Sequence, residues 1–129
     1  MEDLTGQIGV ARDVLAAAAT EDIRRRHPEW DAQFETKGWE ATERDLSHTI
    51  DFLVASIELP EEEIIEDYLD WLIGLLESLD LREEHVLEGL KSLAHVAREH
   101  LHPSASAALI GMIDRGITHV QESRSGFHR

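Results

Sequence analysis

Apolar positions recur at helical spacing along almost the whole chain. In residues 2–26, Leu4, Ile8, Ala11, Val14, Leu15, Ala18 and Ile23 form a stripe that ends in Arg24, Arg25 and Arg26, cations suited to the negative end of a helix dipole. Pro28 and Gly38 interrupt the period, so residues 27–38 read as a connector with a short helical turn whose Trp30 and Phe34 plug the core. From Trp39 to Leu59, the set Leu46, Ile50, Leu53 and Ile57 marks the buried face of a second helix, ended by Pro60. Pro60 followed by Glu61, Glu62 and Glu63 opens a third. Its apolar residues, from Ile64 through Tyr68 and Trp71 to Leu79, cover more than half the circumference, which predicts a central helix.

Asp80 is the expected N-cap of a fourth helix, with a stripe of Val86, Leu90, Leu93, Ala97 and Leu101 that stops before Pro103. Ser104 is the expected cap of a fifth, whose apolar face runs from Ala105 and Ala108 through Met112 and Gly116 to Val120. The polar tail 123–129 reads as frayed. No segment alternates with period two, so the expected fold is all-α: one domain over 1–129, a bundle or globin-like arrangement of five main helices plus a short connector helix.

Composition narrows the function more than the fold. The 129 residues carry 27 Asp and Glu against 12 Lys and Arg, a formal charge of −15. Nucleic-acid affinity comes mainly from cations that neutralise phosphates, and anionic membranes attract the same cations, so neither is an expected partner. With no cysteine there is no disulfide, no thiolate ligand and no thioether to a cofactor. No basic leader or long apolar run opens the chain, which reads as cytoplasmic.

Familiar enzyme motifs are missing. There is no Gly-rich phosphate loop, no Gly-x-Ser-x-Gly and no His-Glu-x-x-His, so the chain reads as non-enzymatic. Two acid-x-x-His pairs, Asp45 with His48 and Glu99 with His102, share the spacing of bundle di-iron sites. The second pair falls at a helix end beside Pro103, where capping accounts for it.

His48 differs from the other histidines, which are expected at helix ends or on polar flanks. Arg44, His48 and Phe52 run along one line of the second helix, beside its buried stripe. Either His48 is a boundary residue satisfied locally, or Arg44 and His48 line a cleft, the cation for an acid group and the imidazole for a ring or metal. Trp39, Tyr68 and Trp71 lie within reach of the same line and suit a flat, partly polar ligand, or simply the core. Seven acids between Glu58 and Asp70, with no base among them, read as a solvated helix start or as a face for a basic partner.

Taken in order, Arg44-Asp45-Leu46-Ser47-His48-Thr49-Ile50-Asp51-Phe52-Leu53, then Asp67-Tyr68-Leu69-Asp70-Trp71-Leu72, then the Leu-rich run from Val86 to Leu93 resemble a helical, globin-like module found ahead of cobalamin-binding domains in bacterial sensory proteins. The pattern is an Asp, a His three residues on, a Phe-Leu, and a Tyr three before a Trp-Leu. The resemblance covers roughly residues 39–101 and extends to bilin-associated globins. It implies a sensory, photoreceptor-type domain holding a linear tetrapyrrole such as biliverdin, with His48, Arg44, Phe52, Tyr68, Trp71 and Trp39 around it and Asp45 as an orienting carboxylate. The cobalamin-type Asp-x-His-x-x-Gly motif is absent.

Without cysteine, such a chromophore is held non-covalently. Haem is the alternative tetrapyrrole, with His48 or His95 as axial ligand. A ligand-free module that forms a homodimer through the fifth helix, where Gly111, Met112 and Gly116 with Ala105 and Ala108 let two backbones approach, is the other reading. A cobalamin-binding or signalling protein is the implied downstream partner.

Overall fold

The computed structural model describes residues 3–59 and 62–125. Its elements are α1 (Leu4–Arg26), a 3-10 turn η1 (Pro28–Trp30), α2 (Asp31–Glu58), α3 (Glu62–Glu77), α4 (Glu83–His100) and α5 (Pro103–Ser125). The fold is all-α, with no strand among the described residues. Pro60, expected to end the second helix, and residues 126–129 of the expected tail lie outside the described residues.

The apolar stripes explain the packing. Ile8, Leu15 and Ile23 of α1, Ile50 and Leu53 of α2, Ile65 and Leu69 of α3, Leu90 and Leu93 of α4 and Leu109 and Ile113 of α5 are almost wholly buried in one core. Each such side chain contributes about 1.5–3 kcal/mol relative to exposure. The residue enforcing the α3–α5 approach is Gly116: a Cβ there would stand 2.9 Å from Leu69 Cδ1.

Helix ends follow local chemistry. Asp3 caps α1 by accepting the Gly6 N–H at 3.0 Å. At the other end Arg26 bridges α1 to α4: its Nε donates to the buried Asp22 at 3.1 Å, and its guanidinium also reaches Ser92 and Glu88. Ser92 Oγ donates to Asp22 at 2.7 Å. Burial pushes the Asp22 carboxyl up, but the bonds from Ser92 and Arg26 outweigh it and hold it below the usual carboxylate range.

Four expectations change. The second helix begins at Asp31, not Trp39, and bends at Glu35, whose φ of 55° and ψ of −169° break the helical run. Gly38 is therefore not the breaker but the accommodation, because a Cβ there would lie 2.9 Å from Phe34 Cβ. The third helix is not central: it packs on α2, α4 and α5 with its inner side, while Trp71, Leu75 and the following Leu79 face solvent. Asp80 does not cap α4 but sits in the preceding turn with φ 63°, and the N-cap is Arg82. Likewise Ser104 lies inside α5, which Pro103 opens at a position that has no use for an N–H.

Candidate functional site

A cleft of about 270 Å³ opens between α2, α3 and the start of α4. Thr42, Asp45, Leu46 and Thr49 form its α2 wall, Leu72 and Leu76 its α3 wall, and His85, Val86 and Gly89 its α4 wall. Trp30 and Phe34 close it as an aromatic collar, supplied by η1 and the first turn of α2.

The collar is held from both sides. The His27 ring lies parallel on Trp30 with centroids 4.1 Å apart, and Trp30 in turn meets the His85 ring at 4.4 Å. Phe34 packs on Trp39 at 4.6 Å, and the Trp39 indole N–H donates to Asp31 Oδ1 at 2.9 Å. Arg24 places its guanidinium over the Trp39 ring at 5.2 Å. The bend at Glu35 falls between these two rings in the chain.

His85 is the unusual polar group of the cleft. The Arg82 N–H donates to its Nδ1 at 3.0 Å. Accepting that bond takes the Nδ1 lone pair, and in this tautomer the ring proton sits on Nε2; the Arg82 carbonyl, 3.2 Å from Nδ1, accepts the His85 backbone N–H. Nε2 is buried without a hydrogen-bond partner among the described residues. Burial also pushes the His85 pKa down, keeping the ring neutral. An unpaired buried N–H costs about 1–3 kcal/mol, which an acceptor on a bound molecule would recover.

Opposite stands Asp45, half-buried, its carboxyl raised by burial and only partly relieved by Arg44 and His48. Its backbone carbonyl accepts from the Thr49 hydroxyl at 2.8 Å, and the buried Tyr68 phenol lies 3.0 Å from Thr49 Oγ1. Burial pushes the Tyr68 pKa up to about 12, so the phenol stays protonated and donates within this group, to Thr49 Oγ1 and toward the Asp45 carbonyl at 3.3 Å.

The seven residues expected around a ligand therefore fall into separate places. Asp45 lines the cleft, and Tyr68 supports its wall through Thr49. Trp39 is buried behind the collar, beside a second, polar depression that contains Arg24, Asp31 and Glu43. Arg44 and His48 are exposed on the outer side of α2. Phe52 stacks on Tyr68 at 4.3 Å, and Tyr68 meets Trp71 at 6.0 Å, an aromatic run that leads away from the cleft to the surface.

Sequence reasoning missed His85, assigning it to a helix end. The available signal was its place three residues after Arg82, where a side-chain acceptor can take the N-cap N–H. His95, the other haem-ligand expectation, is exposed near Asp22 and Glu99. Of the small residues expected at a dimer seam, Ala105 and Gly116 are turned into the chain's own core, while Gly111 is exposed. No helix among the described residues is long and apolar enough to cross a membrane. No family model matches the chain, and neither does any curated protein or any solved structure.

Proposed function

We propose that the chain is a non-enzymatic, globin-like sensory domain that holds a linear tetrapyrrole, biliverdin or a related bilin, with one end seated in the cleft between α2, α3 and α4. The observation that supports this most is the buried, unpartnered Nε2–H of His85 at the edge of an apolar cleft. A bilin offers a lactam carbonyl to that donor and pyrrole N–H groups to Asp45, while Leu72, Leu76 and Trp30 cover its apolar edges. Arg82, exposed and three residues before His85 in the chain, is the cation available to a propionate. Without cysteine the attachment is non-covalent.

The cleft volume of about 270 Å³ lies just under the usual range for small-molecule sites, roughly 300–1,000 Å³. A flexible linear molecule can insert one end into such a space, whereas a rigid haem cannot fold to do so. Haem also needs a buried axial His, and both His48 and His95 are exposed. Bilin is therefore the better-supported tetrapyrrole. A cobalamin-binding or signalling protein is the proposed recipient of the signal.

Absorption spectroscopy tests the reading directly. Purified protein mixed with biliverdin gives a red-shifted, narrowed band if the cleft holds the pigment; a sharp Soret band with haemin would favour haem. No change with either removes the tetrapyrrole reading.

A further inference from the structure

We propose that the outward face of α3 docks a cationic amphipathic helix of a partner protein, along a strip whose Leu79 end adjoins the cleft. Trp71 is 61% exposed, Leu75 41% and Leu79 61%, and their spacing of four residues sets them along one line of α3 and the turn after it. Phe52, 40% exposed on α2, widens the strip through its stack on Tyr68. Contiguous apolar surface of this kind, with a tryptophan at its centre, is rare on a face that meets only water and common where a partner helix lies down.

Charge selects the occupant. Glu63 and Asp67 are exposed on the same side of α3, and the chain has no Lys or Arg between residues 45 and 81. A second copy seated across a two-fold axis would bring a face bordered by the same carboxylates against this one, two surfaces of like charge, which is repulsive. An anionic membrane is repelled by the same field. A helix with apolar anchors at i, i+4 and i+7 flanked by Lys or Arg satisfies both the apolar strip and its acidic margin.

The test is calorimetric titration of the full chain with a synthetic Leu/Lys peptide patterned as an amphipathic helix. A permuted peptide of identical composition without an apolar face serves as control. The expected results are binding of the patterned peptide about tenfold or more tighter than the permuted one, and a loss of about tenfold or more in Trp71→Ser/Leu75→Ser with unchanged helicity. Glu63→Gln/Asp67→Asn should weaken binding about threefold and flatten its salt dependence. Equal binding of both peptides, or undiminished binding by Trp71→Ser/Leu75→Ser, would overturn the proposal by reducing the attraction to net charge. Sedimentation showing a dimer that Trp71→Ser dissociates would overturn it in favour of a second copy.

Discussion

His27 and Glu88 join the end of α1 to α4, the imidazole Nε2 lying 2.9 Å from Glu88 Oε1 while the other ring nitrogen meets Glu29 at 2.9 Å. Burial alone would push His27 down, but the two carboxylates outweigh it, so its pKa lies above the usual 6.5. Glu88 is pushed up by burial and pulled further down by His27, Arg26 and Lys91, to about 2.

These shifts fix the direction of a pH dependence. A histidine raised on folding adds stability that is complete below pH 6.5 and disappears as pH climbs through its folded value. A carboxylate lowered on folding adds stability that is complete above pH 4.5 and disappears as pH falls toward 2. The pair therefore contributes most between these limits. Urea midpoints measured across pH should decline from pH 6 to pH 9 in the native chain, and much less in His27→Gln; parallel curves for the two would contradict the assignment.

Asp45 carries the sign opposite to that of Glu88. Its carboxyl is raised on folding, so ionisation opposes the folded state as pH rises through that value. Asp45→Asn is expected to unfold at a higher temperature than the native chain at pH 7, and at the same or a lower temperature at pH 3. Thermal melts at the two pH values check the crossover.

Glycine substitutions separate tight packing from open helix surface. Gly116→Ala forces a methyl to within 2.9 Å of Leu69 Cδ1 and should cost about 1–3 kcal/mol. Gly74→Ala and Gly111→Ala meet nothing within 4 Å, and each should add roughly 0.5–1 kcal/mol through helix propensity. Chemical denaturation of the three variants would show both signs in one protein.

Two histidine variants locate the ligand. With biliverdin as probe, His85→Leu should weaken binding about tenfold, 1.4 kcal/mol, while His48→Ala should leave it within about twofold. The reverse order, read from absorption titrations, would move the site to the outer face of α2.

The helix pattern was largely legible in the sequence because each stripe is sustained over several turns and the ends carry chemistry: Arg24 to Arg26 before Pro28, and Pro103 just beyond the end of α4. The start of α2 was not, since Pro28 and Gly38 are strong punctuation marks, and the residue that bends the helix is Glu35, which carries no local signal for a positive φ. Periodicity also misjudged α3. A helix apolar on more than half its circumference can be central or can show one apolar side to solvent, and only the neighbours decide which. Of the residues lining the cleft, Asp45 was singled out in the sequence and His85 was not, because the use of a histidine as a cap acceptor depends on a turn geometry that spacing alone leaves open.

The distribution of the three tryptophans has an optical consequence. Trp30 belongs to the collar of the cleft, Trp39 is buried behind it with its N–H bonded to Asp31, and Trp71 stands in water on α3. Their emission is thus separated by environment: a pigment in the cleft quenches the collar indole first, whereas a helix laid on α3 shifts the red edge of the spectrum to the blue. The unlabelled chain carries an independent fluorescent reporter for each of its two candidate surfaces.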